Sequence, residues 1–260
     1  MTNVECNGAA PELAVDGQVA VVRLRRPAQA NRLELGDLKL LIQHFQWLRA
    51  HHAQVRAMVL TGTGKHFSAG FDLSAIDLAV EGDASEVFAE MVDTLEELPQ
   101  TTVCALNGGV FGGSTDLALA CDFRLGVPHT RMFMPAARFG LHYYASGLRR
   151  YLTRLGLNAS KRLFLLAEEL NAPELLEIGY LTRIVEAESL QEEALALARR
   201  AAELAPLATA GMKSGLNAMA SGRYDADEGS RVYRACMASA DMQEGIQALR
   251  EKRTPRFEAR

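Results

Sequence analysis

Apolar positions along this 260-residue chain change period several times, and each change marks an element. Val19, Ala20, Val21, Val22 and Leu24 form a β-rich run that Arg25-Arg26-Pro27 ends. Leu38, Leu41, Ile42, Phe45 and Leu48 then recur three and four apart, the spacing of one buried helix face. Residues 55–60 predict the next strand, and Thr61-Gly62-Thr63-Gly64-Lys65-His66 predicts a turn. A helix is expected over 85–98, stopped by Pro99. Residues 101–106 read as a short buried strand, and a glycine-rich stretch, 108–116, leads from it into an apolar helix. Residues 122–127 return as a strand. Strands alternating with helices predict an α/β class built on ββα or βα units.

The pattern shifts near residue 145. Residues 146–156, 159–167 and 172–179 predict three short helices, and 183–186 a last strand. From Ser189 onward everything is helical: 191–205, 207–220, 225–239 and 242–252. This alanine-rich tail is too thin to be a strong core by itself. It is expected to pack on the main domain or on a neighbouring subunit.

Composition narrows the classes. The hydrophobic fraction of 48% is that of a globular protein, and a net charge of −4 gives no basic field for nucleic acid. Cys6, Cys104, Cys121 and Cys236 form no C-x-x-C pair, which suits reduced thiols in the cytoplasm. No apolar run reaches the roughly 18 residues of a membrane helix. Residues 1–14 do not read as a signal peptide. The six histidines offer no H-x-x-x-H pair, so no metal site is expected.

The candidate chemistry lies in the glycine stretch, Gly108-Gly109-Val110-Phe111-Gly112-Gly113-Ser114-Thr115-Asp116. Glycines let a ligand approach the backbone closely. The first amides of the following helix lack internal partners and suit a negative charge. Other motifs fail. Gly62-Thr63-Gly64-Lys65 has neither the leading glycine nor the trailing Ser or Thr of a phosphate loop, and no G-x-S-x-G is present.

Two segments together, Lys65-His66-Phe67-Ser68-Ala69-Gly70-Phe71-Asp72-Leu73 and Asn107 through Asp122, closely resemble the crotonase family, also called the enoyl-CoA hydratase/isomerase family. Arg26-Pro27, Asn31, Leu155-Gly156, Ala172-Pro173-Glu174, Ala205-Pro206-Leu207 and Glu251-Lys252-Arg253 extend the likeness over nearly the whole length. The resemblance implies a crotonase-like ββα spiral core over 1–200. It also implies a C-terminal helical trimerisation region over 201–260, with trimers often paired into hexamers. The implied substrate is an acyl-CoA thioester, as in fatty acid metabolism, with coenzyme A as part of the substrate and no separate cofactor. Two backbone amides, at Phe71 and Gly113, would form an oxyanion hole. Ala69, Asp72, Leu73 and Ser74 would hold the CoA arm, and Arg26 and Lys252 could meet its phosphates.

The same resemblance exposes departures. Hydratases of the family use two glutamates. The first falls on Asp116, one methylene shorter, and the second on Ala136, which carries no proton. Two-carboxylate hydration is therefore disfavoured, while isomerisation by one carboxylate stays open. The loop with His142, Tyr143 and Tyr144 would line the acyl end of the pocket. Tyr143 matches the tyrosine of the methylmalonyl-CoA decarboxylase branch, although that branch has histidine where Phe71 stands. The alternatives are thus a malonyl-type decarboxylase using Tyr143 and an acyl-CoA-binding protein without chemistry. The basic stretch Arg149, Arg150, Arg154, Lys161 and Arg162 suggests RNA only weakly against an acidic chain.

Overall fold

The computed structural model describes residues 9–72 and 83–260. Among the described residues ten strands fall into two sheets. The larger has six strands, in the order β1 (Ala9–Asp16), β2 (Val19–Arg25), β3 (Ala57–Gly62), β5 (Thr101–Leu106), β7 (Phe123–Gly126) and β10 (Arg183–Ile184). The smaller has four: β4 (His66–Ser68), β6 (Gly109–Phe111), β8 (Arg131–Phe133) and β9 (Glu169–Asn171). Pairing is parallel except for β1 with β2 and β8 with β9.

The order of elements explains the two sheets. β3 and β4 precede α2 (Asp83–Glu96), β5 and β6 precede α3 (Ser114–Ala120), and β7 and β8 precede α4 (Ala145–Leu166). Each turn of the chain thus gives one strand to each sheet and then a helix, which is the ββα spiral expected from the resemblance.

The middle of the large sheet is buried on both faces, and its alternation shows why. Val22, Leu24, Met58, Leu60, Cys104 and Leu106 face the main core with α1 (Leu35–Ala50), α2 and α3. Val19, Ala57, Val59, Val103 and Ala105 face α6 (Leu190–Ala202) through Leu190, Ala194, Leu197 and Ala198. Adjacent side chains point to opposite faces, so a continuous apolar run serves two cores.

Several expectations need correction. Five strands were not anticipated: β1, β4, β6, β8 and β9. The glycine stretch is not a single turn, because it contains β6. The helices expected over 146–156 and 159–167 are one, α4, interrupted only at Gly156, whose φ of +80° is not helical. After α5 (Ala172–Glu177) and α6 come α7 (Pro206–Ala220), α8 (Ala226–Met237) and α9 (Ala240–Glu251). Lys213 ties α7 to the core through the Asp122 carboxylate and the Gln100 carbonyl, both at 2.8 Å. Among the described residues no helix is long and apolar enough to cross a membrane.

Candidate active site

The small sheet brings together two chain segments about forty residues apart. β4 and β6 run side by side, so the exits of both strands lie at the same end. Ser114 fastens them: its hydroxyl donates to the Ser68 carbonyl at 2.9 Å and accepts the Phe111 amide at 3.0 Å. Asn31 fixes the approach to β4 by donating to the Thr63 and His66 carbonyls, each at 2.8 Å. Gly112 bends the chain with φ +55° and donates to the Phe133 carbonyl at 2.8 Å.

Beyond β4, Gly70 has φ +88° and no Cβ to obstruct its neighbour. A Cβ there would lie 2.7 Å from the Phe111 carbonyl oxygen and 3.1 Å from the Gly113 nitrogen. Phe71 then makes an isolated parallel bridge with Leu33, in which Leu33 bonds the Gly70 carbonyl and the Asp72 amide. In such a bridge the N–H of the bridged residue faces the other way. Among the described residues neither the Phe71 nor the Gly113 amide has a hydrogen-bond partner. The two amides that the resemblance pairs therefore stand on abutting segments, both unsatisfied. Because α3 has only seven residues, its dipole contributes less than that of a long helix.

Asp116 lies in the first turn of α3 and is wholly buried, as is Arg150 of α4. Arg150 Nη1 donates to both Asp116 oxygens, at 2.8 Å to Oδ1 and 2.7 Å to Oδ2. Tyr144 donates a short hydrogen bond to Oδ2, and Tyr143 a longer one at 3.4 Å. Oδ2 thus accepts three donors and Oδ1 one. Arg150 Nη2 pairs with Asp93 at 2.5 Å, and Nε lies 3.2 Å from Glu96, an ion pair without hydrogen-bond alignment. Glu96 also takes Arg149 and Arg154.

These contacts set the protonation states. Burial alone would weaken the Arg150 charge, but Asp116 and then Glu96 more than reverse this, and its pKa is raised. Burial pushes the Tyr143 and Tyr144 hydroxyls well above the usual phenol value, and the Asp116 charge pushes further the same way. Both phenols are neutral donors at ordinary pH. Tyr151, packed edge-on to Tyr143, shares a 2.5 Å hydrogen bond with Thr115, and Tyr180 donates to the Thr115 carbonyl at 2.8 Å.

The other sequence-selected residues separate. Ala136 is buried and brings no carboxylate. His142 is exposed and has no hydrogen bond to the Asp116 cluster, unlike its neighbours. Ala69 bonds the Ala30 carbonyl at 2.7 Å, and Asp72 pairs with Arg32 at 3.0 Å. Leu73 and Ser74 lie outside the described residues. Arg26 is engaged by Asp37 and Glu34. Lys252 is an exposed cap of α9. The basic stretch on α4 is largely neutralised, with Arg162 paired to Glu168 and Glu174 as well. Among the described residues no group of three or more His, Cys, Asp or Glu is placed to hold a metal.

Sequence reading missed two members of the site. Arg150 was counted only as part of a basic stretch. Phe88 of α2 was not singled out, yet its ring stands 6.3 Å from Phe71 and 6.1 Å from Tyr144, joining the amide pair to the carboxylate cluster. Its signal was only its place on an apolar helix face.

Comparison with known proteins gives the family and the fold. The sequence model of the enoyl-CoA hydratase/isomerase family matches residues 15–260. A putative enoyl-CoA hydratase of Thermus thermophilus is 34% identical over 93% of this chain and 98% of its own length. A carnitinyl-CoA dehydratase of Salmonella arizonae is 31% identical over 94% of this chain and 97% of its own. The crystal structure of an enoyl-CoA hydratase from Bacillus anthracis superposes with a TM-score of 0.89 at 27% identity, covering 97% of this chain and 100% of that one.

Proposed function

The chain belongs to the enoyl-CoA hydratase/isomerase family, and we propose that it transforms an acyl-CoA thioester through an enolate held by the Phe71 and Gly113 amides. The observation that carries this is the contact of Gly70 with Gly113, beside two amides that no described residue satisfies. Enolate formation puts negative charge on the thioester oxygen. Preorganised N–H donors bind that charge more strongly than the neutral carbonyl, and one such donor typically contributes about 3 kcal/mol.

Asp116 is the acid/base of this reading. Its Oδ1, with a single donor, retains capacity for a proton, while Oδ2 is occupied by Arg150 and two tyrosines. One carboxylate can remove a proton from one carbon and return it to another, which is double-bond isomerisation. Two-carboxylate hydration is not proposed, because Ala136 supplies no second acid. Tyr143 and Tyr144 would shape the acyl end, and the segment from Ala69 through Asp72 would carry the CoA arm. Residues 201–260 would serve a homotrimer, or a dimer of trimers, acting in the cytoplasm.

A second reading is favoured by the same crowding. Both Asp116 oxygens already accept donors, and loss of carbon dioxide from a malonyl-type thioester needs no base at all. Incubation with crotonyl-CoA, a 3-enoyl-CoA and methylmalonyl-CoA, followed by chromatography and mass spectrometry, separates the readings. The isomerase converts the 3-enoyl thioester to its isobaric 2-enoyl form, and the decarboxylase removes carbon dioxide from the third. Binding of all three without turnover would leave an acyl-CoA carrier.

A further inference from the structure

Among the described residues one buried cation stands at the centre of the site's ion pairs. Arg150 is fully buried, and around it stand Asp93 and Glu96 from α2, Asp116 from α3, and Arg149 and Arg154 from its own helix. Three acids and three arginines balance one another. Tyr143 and Tyr144 from the preceding loop, and Tyr151 one residue on, close the remaining side as neutral phenols. Only Asp93 among the three acids is substantially exposed.

A carboxylate removed from water as completely as Asp116 is costly to ionise unless a cation is bonded to it. Among the described residues Arg150 is the one cation bonded to Asp116. Its planar fork also fixes direction, which an ammonium would not do. With Nη1 shared between both oxygens and Nη2 anchored on Asp93, the carboxylate cannot rotate without breaking the pair.

We propose that Arg150 is the positioning residue of the site: it holds the Asp116 carboxylate turned so that Oδ2 faces the tyrosines and Oδ1 is left to take the proton. This rests on the acid/base reading of Asp116 given above. Arg150 itself does not touch substrate.

Two variants test the direction it imposes. Arg150→Lys keeps the charge but loses the fork, so kcat should fall about 10²-fold with little change in KM. Arg150→Met loses both and should fall at least as far, again through kcat rather than KM. A role confined to stability would lower the melting temperature and leave the kcat of the folded enzyme in place. An Arg150→Lys enzyme with full kcat overturns the proposal. If Arg150→Met does not fold, the Lys variant alone decides through kcat.

Should the unaltered protein turn over none of the thioesters, the catalytic reading fails independently. The Arg150 claim is then read from a crystal structure of Arg150→Lys: an Asp116 carboxylate turned away from its parent orientation supports it, and one held in the same orientation refutes it.

Discussion

Gly70 and Gly113 abut so closely that a methyl group on Gly70 would come within 3.1 Å of the Gly113 nitrogen. The same methyl would meet the Phe111 carbonyl at 2.7 Å, and the φ of +88° at Gly70 disfavours any side chain. Gly70→Ala should therefore push the two segments apart where the thioester oxygen is proposed to bind. The expected loss is about 10²- to 10³-fold in kcat, the effect of losing one oxyanion donor. Stability should fall by only about 1–2 kcal/mol. Steady-state kinetics beside a thermal melt tests this, and a variant with the parent's kcat would place the oxyanion elsewhere.

Thr115 and Tyr151 make an asymmetric pair. The Thr115 hydroxyl donates to the Gly112 carbonyl at 2.6 Å, so Tyr151 is the donor in their shared bond. Tyr151→Phe leaves Thr115 still donating and should cost about 1 kcal/mol. Thr115→Val strands the buried Tyr151 hydroxyl and should cost more, about 1–3 kcal/mol. Urea unfolding of both variants gives the order directly; equal losses would mean that the phenol finds another acceptor.

How much of this was legible beforehand follows from length and from sequence separation. α1 announces itself by its helical period, and the strands β3 and β5 by largely apolar runs of six residues. β4, β6, β8 and β9 have three residues each, too few for any period; they exist because neighbours pair with them across the small sheet. The amide pair came from motif likeness, and no pattern of polarity would have found it. Asp116 could be picked out at its helix start, but its partner is 34 positions away. An arginine among arginines reads as surface charge. Only folding α4 against α2 and α3 turns Arg150 inward while Arg162 remains partly exposed at the far end.

Acid should loosen the same cluster. Burial alone would raise the Glu96 carboxyl, but the Arg149 hydrogen bond and the Arg150 and Arg154 charges outweigh it and hold the pKa below the usual range. A depressed folded-state pKa means stability that is present above the unfolded value, about 4.3, and lost as pH falls through the folded value. Melting temperature should therefore drop steeply below about pH 4. Glu96→Gln should be less stable than the parent at neutral pH and show a shallower acid slope. Parallel melting curves down the whole acid range would remove Glu96 from the linkage.

The outer faces of α7, α8 and α9 set the last expectation. Met212, Leu216, Tyr233 and Leu249 are each more than 60% exposed, and a cavity of about 550 Å³ opens among Met212, Val232, Met237 and Ile246. Large apolar side chains so grouped favour burial, at about 1.5–3 kcal/mol for each side chain covered. Lys213, bonded to Asp122 and Gln100, ties α7 to the core, while Met212 and Leu216 of the same helix stay exposed. In the proposed trimer a second copy covers that face. Light scattering after gel filtration should give three chains for the parent and one for Leu216→Glu combined with Leu249→Glu, because a carboxylate in an apolar interface has no partner. The double variant should keep its far-ultraviolet helix signal, since both positions are exposed within one chain. A parent protein that elutes as a monomer at micromolar concentration would remove the trimer and leave these helices without a partner of their own kind.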